Sequence, residues 1–174
     1  MADNYVQFSE VLAHLTDAEV AWLRDQLQPV VIIHDQELPA DSPAVTVAEH
    51  EATWRGPRFL LGCDDESGWG DEPEFSYEFS LHEPQGQWGR HLWIYSQEYG
   101  NVDQVAQLVQ KFLRQFRPHD CWSLTYAATC SKPRVSEFGG GAVLVTAERI
   151  RWHDASAIVA AAEKRHARRR TAVA

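Results

Sequence analysis

The stretch NVDQVAQLVQKFLRQF, residues 101–116, constrains the fold more than any other part of the chain. Its apolar residues Val102, Val105, Val109, Phe112 and Phe116 recur at helical spacing and must be buried against another layer. Asn101 stands at the N-cap with Gln104 in the capping-box position, and Pro118 stops the helix. On both sides the period falls to two. EFSYEF, residues 74–79, sets Phe75, Tyr77 and Phe79 on one face of a strand and Ser76, Glu78 and Ser80 on the other. GQWG reads as the turn into RHLWIYSQE, so these two strands form a hairpin. Beyond the helix, CWSLTYAATC, residues 121–130, puts Trp122, Leu124, Tyr126, Ala128 and Cys130 on one face. Ser123, Thr125, Ala127 and Thr129 make the other face small and partly polar, open to close approach. GAVLVTAERIRW reads as the next strand.

The N-terminal part is less regular. YVQFSEVL has strand composition, and LTDAEVAWLRDQLQP is a helix begun by the Thr16/Glu19 capping box, striped by Val20, Leu23 and Leu27 and ended by Pro29. VVIIH reads equally as a short strand or as the loose end of that helix, ELPADSPAV as a loop, and RFLLGC as a strand. Asp154 or Ser156 caps a final helix running into EKRHARRR, whose cations suit its C-terminal end. The expected class is α+β, a mostly antiparallel sheet with two to three helices packed on one face. The element order admits a strand-helix-strand-strand pseudo-repeat without residue-level similarity. With 174 residues, 44% of them hydrophobic, the chain reads as one domain over 1–174, in which 154–174 form a C-terminal helix with a basic tail.

Charge divides the chain. Residues 1–100 carry 19 acidic against 4 basic side chains, net −15, and residues 101–174 carry 6 against 12, net +6. The acid is densest in CDDESGWGDEPEFSYEFSLHE, residues 63–83, where Asp64, Asp65, Glu66, Asp71, Glu72, Glu74, Glu78 and Glu83 stand with no Lys or Arg among them. The calcium-loop pattern is absent, and adjacent carboxylates alone do not define a catalytic pair, so neither metal nor acid–base chemistry is read here. As a surface, the acids set up a field that attracts a basic partner, with Trp69 as an aromatic anchor; the alternative is a solvated loop that keeps the protein soluble.

The eight histidines show no pair at i, i+4, and there is no Gly-x-Ser-x-Gly elbow. Cys63, Cys121 and Cys130 have neither metal-ligand spacing nor an even-numbered disulfide framework. The opening MADNYVQFSE lacks a secretory pattern, and the expectation is a cytoplasmic protein with no membrane span, no metal and no cofactor. Seven tryptophans exceed what such a core hides, so one or two are expected at the surface. The basic tail lacks a base-reading module in an acidic chain, which argues against direct nucleic-acid binding and leaves a fold-back or a homodimer open.

The loop TCSKPRVSEFGGGAV, residues 129–143, reads first as a wide hairpin in which Arg134 and Glu137 pair and the glycines let the backbone pass a bulky neighbour. Ser131, Lys132 and Arg134, with the N–H groups of Gly139, Gly140 and Gly141, offer an anion site as the alternative. Those glycines lead into a strand, whereas a phosphate loop leads into a helix N-terminus. WSLTYAATCSKPRVSEFGGGAVLVTAERI, residues 122–150, resembles the C-terminal signature of a group of small bacterial proteins of unknown function, with Thr-Cys-Ser-Lys-Pro-Arg followed by Glu-Phe-Gly-Gly-Gly-Ala. The resemblance implies a bacterial origin and carriage on mobile elements, and it brings no activity. The expected function is a non-catalytic interaction module whose acidic face (Asp64, Asp65, Glu66, Trp69, Asp71, Glu72, Glu74, Glu78) docks on a basic partner. An inhibitor of a host nucleic-acid-handling system is its natural form. A small anion binder or enzyme built on the Lys132–Arg134 loop is the alternative.

Overall fold

A computed structural model describes residues 3–48, 52–61, 77–84, 86–132, 134 and 137–171. The chain divides into two compact units, Met1–Ala13 with Tyr77–Ala174, and His14–Ser76.

The first unit is a six-stranded sheet. Its strands are β1 (Asn4–Leu12), β5 (Glu78–His82), β6 (His91–Ser96), β7 (Cys121–Cys130), β8 (Gly139–Thr146) and β9 (Ile150–Asp154). They lie in the order β5-β6-β1-β7-β8-β9, each antiparallel to its neighbour. β6 and β7 both flank β1, so they run parallel to each other, and the link between them has to cross over the sheet. The helix α3 (Val102–Phe116) makes that crossover. Asn101 Oδ1 accepts the Gln104 N–H at 3.1 Å, as the sequence predicts, and Val102, Val105, Leu108, Val109, Phe112 and Leu113 are buried, while Phe116 is only half-buried. The opposing sheet face carries Phe8, Leu12, Leu92, Ile94, Trp122, Leu124, Val143 and Val145, all buried. Each such side chain contributes about 1.5–3 kcal/mol by leaving water.

α3 also supplies donors to the far turn. Gln110 Nε2 and Arg114 Nε donate to the Thr146 and Ala147 carbonyls at 3.3 and 2.7 Å. That turn corrects one expectation: GAVLVTAERIRW is two strands, β8 and β9. The main-chain groups of Thr146 and Arg149 pair at 3.0 Å, and the Thr146 hydroxyl accepts the Arg149 N–H at 3.2 Å. The helix α4 (Ala155–Thr171) follows, with Asp154 as its cap, its carboxylate accepting the Ala157 N–H at 2.9 Å.

The second unit holds α1 (Asp17–Gln26), the strands β2 (Pro29–Ile33), β3 (Gln36–Pro39) and β4 (Ala52–Pro57), and the short helix α2 (Pro43–Ala48). The Thr16/Glu19 capping box is formed. VVIIH is a strand, and His34 and Asp35 take positive φ, 49° and 62°, in the two-residue turn that pairs β2 with β3. The loop expected over ELPADSPAV therefore contains β3 and the start of α2. RFLLGC is not a strand where described: Arg58–Leu60 form a 3-10 turn after Pro57, and Phe59 and Leu60 are buried from it. The pseudo-repeat is not built either, because β1 belongs to the six-stranded sheet whereas α1, β2 and β3 belong to the other unit.

Candidate functional site

The sequence pointed to two places, and they fare differently. Asp64, Asp65, Glu66, Trp69, Asp71, Glu72 and Glu74 lie outside the described residues. Glu78 is exposed at the start of β5, opposite Tyr95.

The glycine loop is placed in full at its ends. Gly139, Gly140 and Gly141 are the first three residues of β8, paired with Ala128, Ala127 and Tyr126. A Cβ on Gly140 would stand 2.4 Å from the Tyr126 carbonyl oxygen at a φ of +147°, and one on Gly141 would stand 2.6 Å from the His153 oxygen. These two glycines are demanded by close strand packing. Ser131 is bound to the chain start: its N–H donates to the Asp3 carbonyl at 2.8 Å, and its hydroxyl accepts the Asp3 N–H at 2.9 Å. Arg134 lies 3.5 Å from Glu137, whose other oxygen accepts the Cys130 thiol at 3.0 Å. That hydrogen bond from Cys130, helped by Arg134, holds the Glu137 carboxyl below its ordinary range and pushes the thiol up. A thiol kept protonated is a poor nucleophile. Lys132 and Arg134 are exposed.

The sheet itself supplies a third place. Opposite the α3-covered face, β7 presents Ser123, Thr125 and Ala127 to solvent, as its small, polar alternation predicts. Along β6 the alternation HLWIY sends Leu92 and Ile94 into the core and His91, Trp93 and Tyr95 to the other side, where His91 is itself buried, Tyr95 half-buried and Trp93 exposed. β5 adds Ser80 and His82, which stand opposite Trp93 and His91. With Trp88 from the hairpin turn, the rings form one strip. Centroids are 5.7 Å apart from Trp88 to His91, 4.8 Å from His91 to His82 in a near-parallel stack, 6.2 Å from His82 to Trp93, and 4.1 Å from Trp93 to Tyr95.

Polar contacts lock the strip in place. Trp93 Nε1 donates to Ser9 Oγ at 2.9 Å, His91 Nδ1 donates to the Gly89 carbonyl at 2.9 Å, and the Tyr95 phenol meets Glu78, which raises its pKa above the ordinary value. A cleft of about 960 Å³ opens along the strip, lined by Ser9, Glu10 and Val11 of β1 together with His82, Trp88, His91 and Trp93. Burial raises the Glu10 carboxyl above its ordinary range, partly offset by N–H groups of Thr125 and Val11. Trp88 and Trp93 remain 45% and 37% exposed, unusual for indoles without a partner.

Ser80 Oγ lies 2.6 Å from His82 Nε2, the spacing of a nucleophile and its base. Among the described residues no carboxylate hydrogen-bonds the His82 Nδ1. Among those residues no group of three His, Cys, Asp or Glu could hold a metal ion, and no helix is long and apolar enough to cross a membrane. The sequence reading missed His82, His91, Trp93 and Tyr95. For His91, Trp93 and Tyr95 the signal was the period of two in HLWIY; what it lacked was the strand order that sets them beside β5 and β1.

The fold is α+β with a mostly antiparallel sheet, and the cleft lies along an aromatic strip on β5 and β6. Comparison with known proteins adds no family: no family model, curated protein or solved structure matches the chain.

Proposed function

We propose that the chain is a non-catalytic protein-interaction module that docks on a basic partner surface. The observation that carries this reading is the face at β5 and β6 where two exposed indoles and a ring strip lie beside Glu78. Enzyme sites assemble a nucleophile, a base and an orienting group; this face holds the Ser80–His82 contact with no orienting carboxylate among the described residues, and otherwise offers rigid rings. In the sequence, Glu74 of the acidic stretch precedes Glu78 by four residues. An acidic surface of this kind competes with nucleic acid for a basic groove, so inhibition of a host nucleic-acid-handling system is the form we favour.

The test is affinity capture followed by reconstitution with the purified partner, using the natural chain and a variant in which Asp64, Asp65, Glu66, Asp71, Glu72 and Glu74 become Asn or Gln. The expected result is a stoichiometric basic partner that the variant loses and that high salt releases. Retention by the variant, or no partner for the natural chain, overturns the reading.

A further inference from the structure

We infer that β9 and α4 form a docking face for a second copy of this chain, the two α4 helices lying antiparallel. The face starts from an uncovered apolar helix. In ASAIVAAA, residues 155–162, only Ser156 is polar, and all of these residues are exposed, as is Trp152 on β9 just before them. A helix that is apolar on every side is ordinarily buried. Trp152, Asp154, Ala157, Ile158, Ala161 and Arg165 together line a shallow groove between β9 and α4. From Asp154 onward their spacing of three and four residues sets them on one stripe of the helix. The charge along that stripe says what covers it. It opens with a carboxylate, runs through apolar side chains and closes with a guanidinium, so it is complementary to itself when turned end for end. Ile158 lies four residues after Asp154, and Ala161 lies four residues before Arg165. A two-fold axis midway between Ile158 and Ala161 therefore sets Ile158 of each copy against Ala161 of the other, and Asp154 of each against Arg165 of the other.

Asp154 can serve in that pairing. Its carboxylate caps α4 by accepting the Ala157 N–H and the Ser156 hydroxyl, bonds that hold it ionised, and its two oxygens keep acceptor sites for a guanidinium. Asp154 and Arg165 are both exposed. Parallel packing of the same stripe would instead set carboxylate against carboxylate and guanidinium against guanidinium. The other surface that meets an apolar helix with a basic end is lipid. A helix lying on lipid divides its apolar and charged residues between two faces. In α4 they are divided along the length, apolar over 155–162 and charged from Glu163 onward, so no apolar face runs opposite a charged one.

Sedimentation velocity on the full chain, from about 1 to 300 μM, tests this. The face is small, so the dimer should be reversible with a Kd of about 1–100 μM. Ile158→Glu puts a charge at the apolar centre and should leave the chain monomeric throughout. Arg165→Glu sets carboxylate against carboxylate at both ends and should raise Kd about 3- to 10-fold. In an Asp154→Asn background, which keeps the helix cap, the same change should raise Kd by less than about two-fold. The three side chains are exposed in the single chain, so circular dichroism of dilute samples should be the same for every variant. A natural chain that stays monomeric up to the highest concentration, or a dimer that Ile158→Glu leaves intact, overturns the inference. An Arg165→Glu effect equally large in both backgrounds overturns the antiparallel pairing. Flotation of a monomeric natural chain with phosphatidylcholine vesicles holding about 30% phosphatidylserine, lost in Ile158→Glu, would assign the face to lipid and also overturn it. The acidic-face reading is independent of every one of these outcomes.

Discussion

Gly139, Gly140 and Gly141 are chemically identical and structurally different, and the difference is measurable. Gly140→Ala places a methyl group against a backbone oxygen at a left-handed φ and should cost about 1–3 kcal/mol in a denaturant melt. Gly139 has no atom within 4 Å of an added Cβ, so Gly139→Ala should stay within about 0.5 kcal/mol. Equal effects at the two positions would contradict the strand register. The Arg134–Glu137 pair was legible from spacing alone. The Cys130–Glu137 hydrogen bond was not, because it joins a strand end to a loop through geometry that no local pattern encodes. It makes its own prediction. Cys130 is buried and its thiol is raised, whereas Cys121 is exposed, so iodoacetamide followed by peptide mapping should label Cys121 first. Glu137→Gln should speed labelling of Cys130. The pH signs follow from the directions. The lowered Glu137 carboxyl contributes stability above the ordinary carboxylate pKa that is lost as pH falls through its folded value. The raised Cys130 thiol contributes stability below the ordinary thiol pKa that is lost as pH rises through its folded value. Glu137→Gln should therefore flatten the stability profile at both ends.

At the scale of the element, α3 was the most legible part of the chain, because periodicity, cap and stop agree within the eighteen residues from Asn101 to Pro118. Its cap should be worth about 1 kcal/mol, read as the loss on Asn101→Ala. The two faces of β7 were equally visible, and so was the hairpin of β5 and β6, though β5 is Glu78–His82 where the alternation put the strand over 74–79. Three elements were not. RFLLGC has strand composition, but its apolar residues are buried from a tight turn after Pro57. The β8–β9 turn uses Thr146 and Arg149 in place of Gly or Pro, so nothing in TAER announces it. β2 and β3 meet at His34 and Asp35, an uncommon non-glycine pair with positive φ. In each case tertiary burial or side-chain hydrogen bonding overrides local propensity. The aromatic strip shows the same limit from the other side: alternation said which residues share a face, and only the strand order β5-β6-β1 said that Trp93 meets His82 and Ser9.

For the whole molecule, the division into two units and the division of charge run along different lines. The acid-rich half of the sequence contributes β1, β5 and β6 to the same sheet that the basic half completes with β7, β8 and β9. Sequence order cannot reveal this, because it depends on β1 pairing with strands about ninety and about one hundred and twenty residues away. The basic tail is the remaining large-scale feature. Every described side chain of α4 from Ala155 to Arg165 is exposed, including Ile158 and Val159 at 56% and 57%. A helix end that buries so little contributes little to global stability. Truncation after Ala162 removes Glu163 and the five basic residues Lys164, Arg165, Arg168, Arg169 and Arg170, which takes the net charge from −9 to −13. At 0.15 M salt the melting temperature should then move by no more than about 2 °C, since exposed charges interact weakly at that ionic strength. A larger fall that vanishes in 0.5 M salt would mean that the tail neutralises the acidic stretch. Docking of a basic partner would then have to displace the protein's own C-terminus, and the truncated chain would bind that partner more tightly than the natural one.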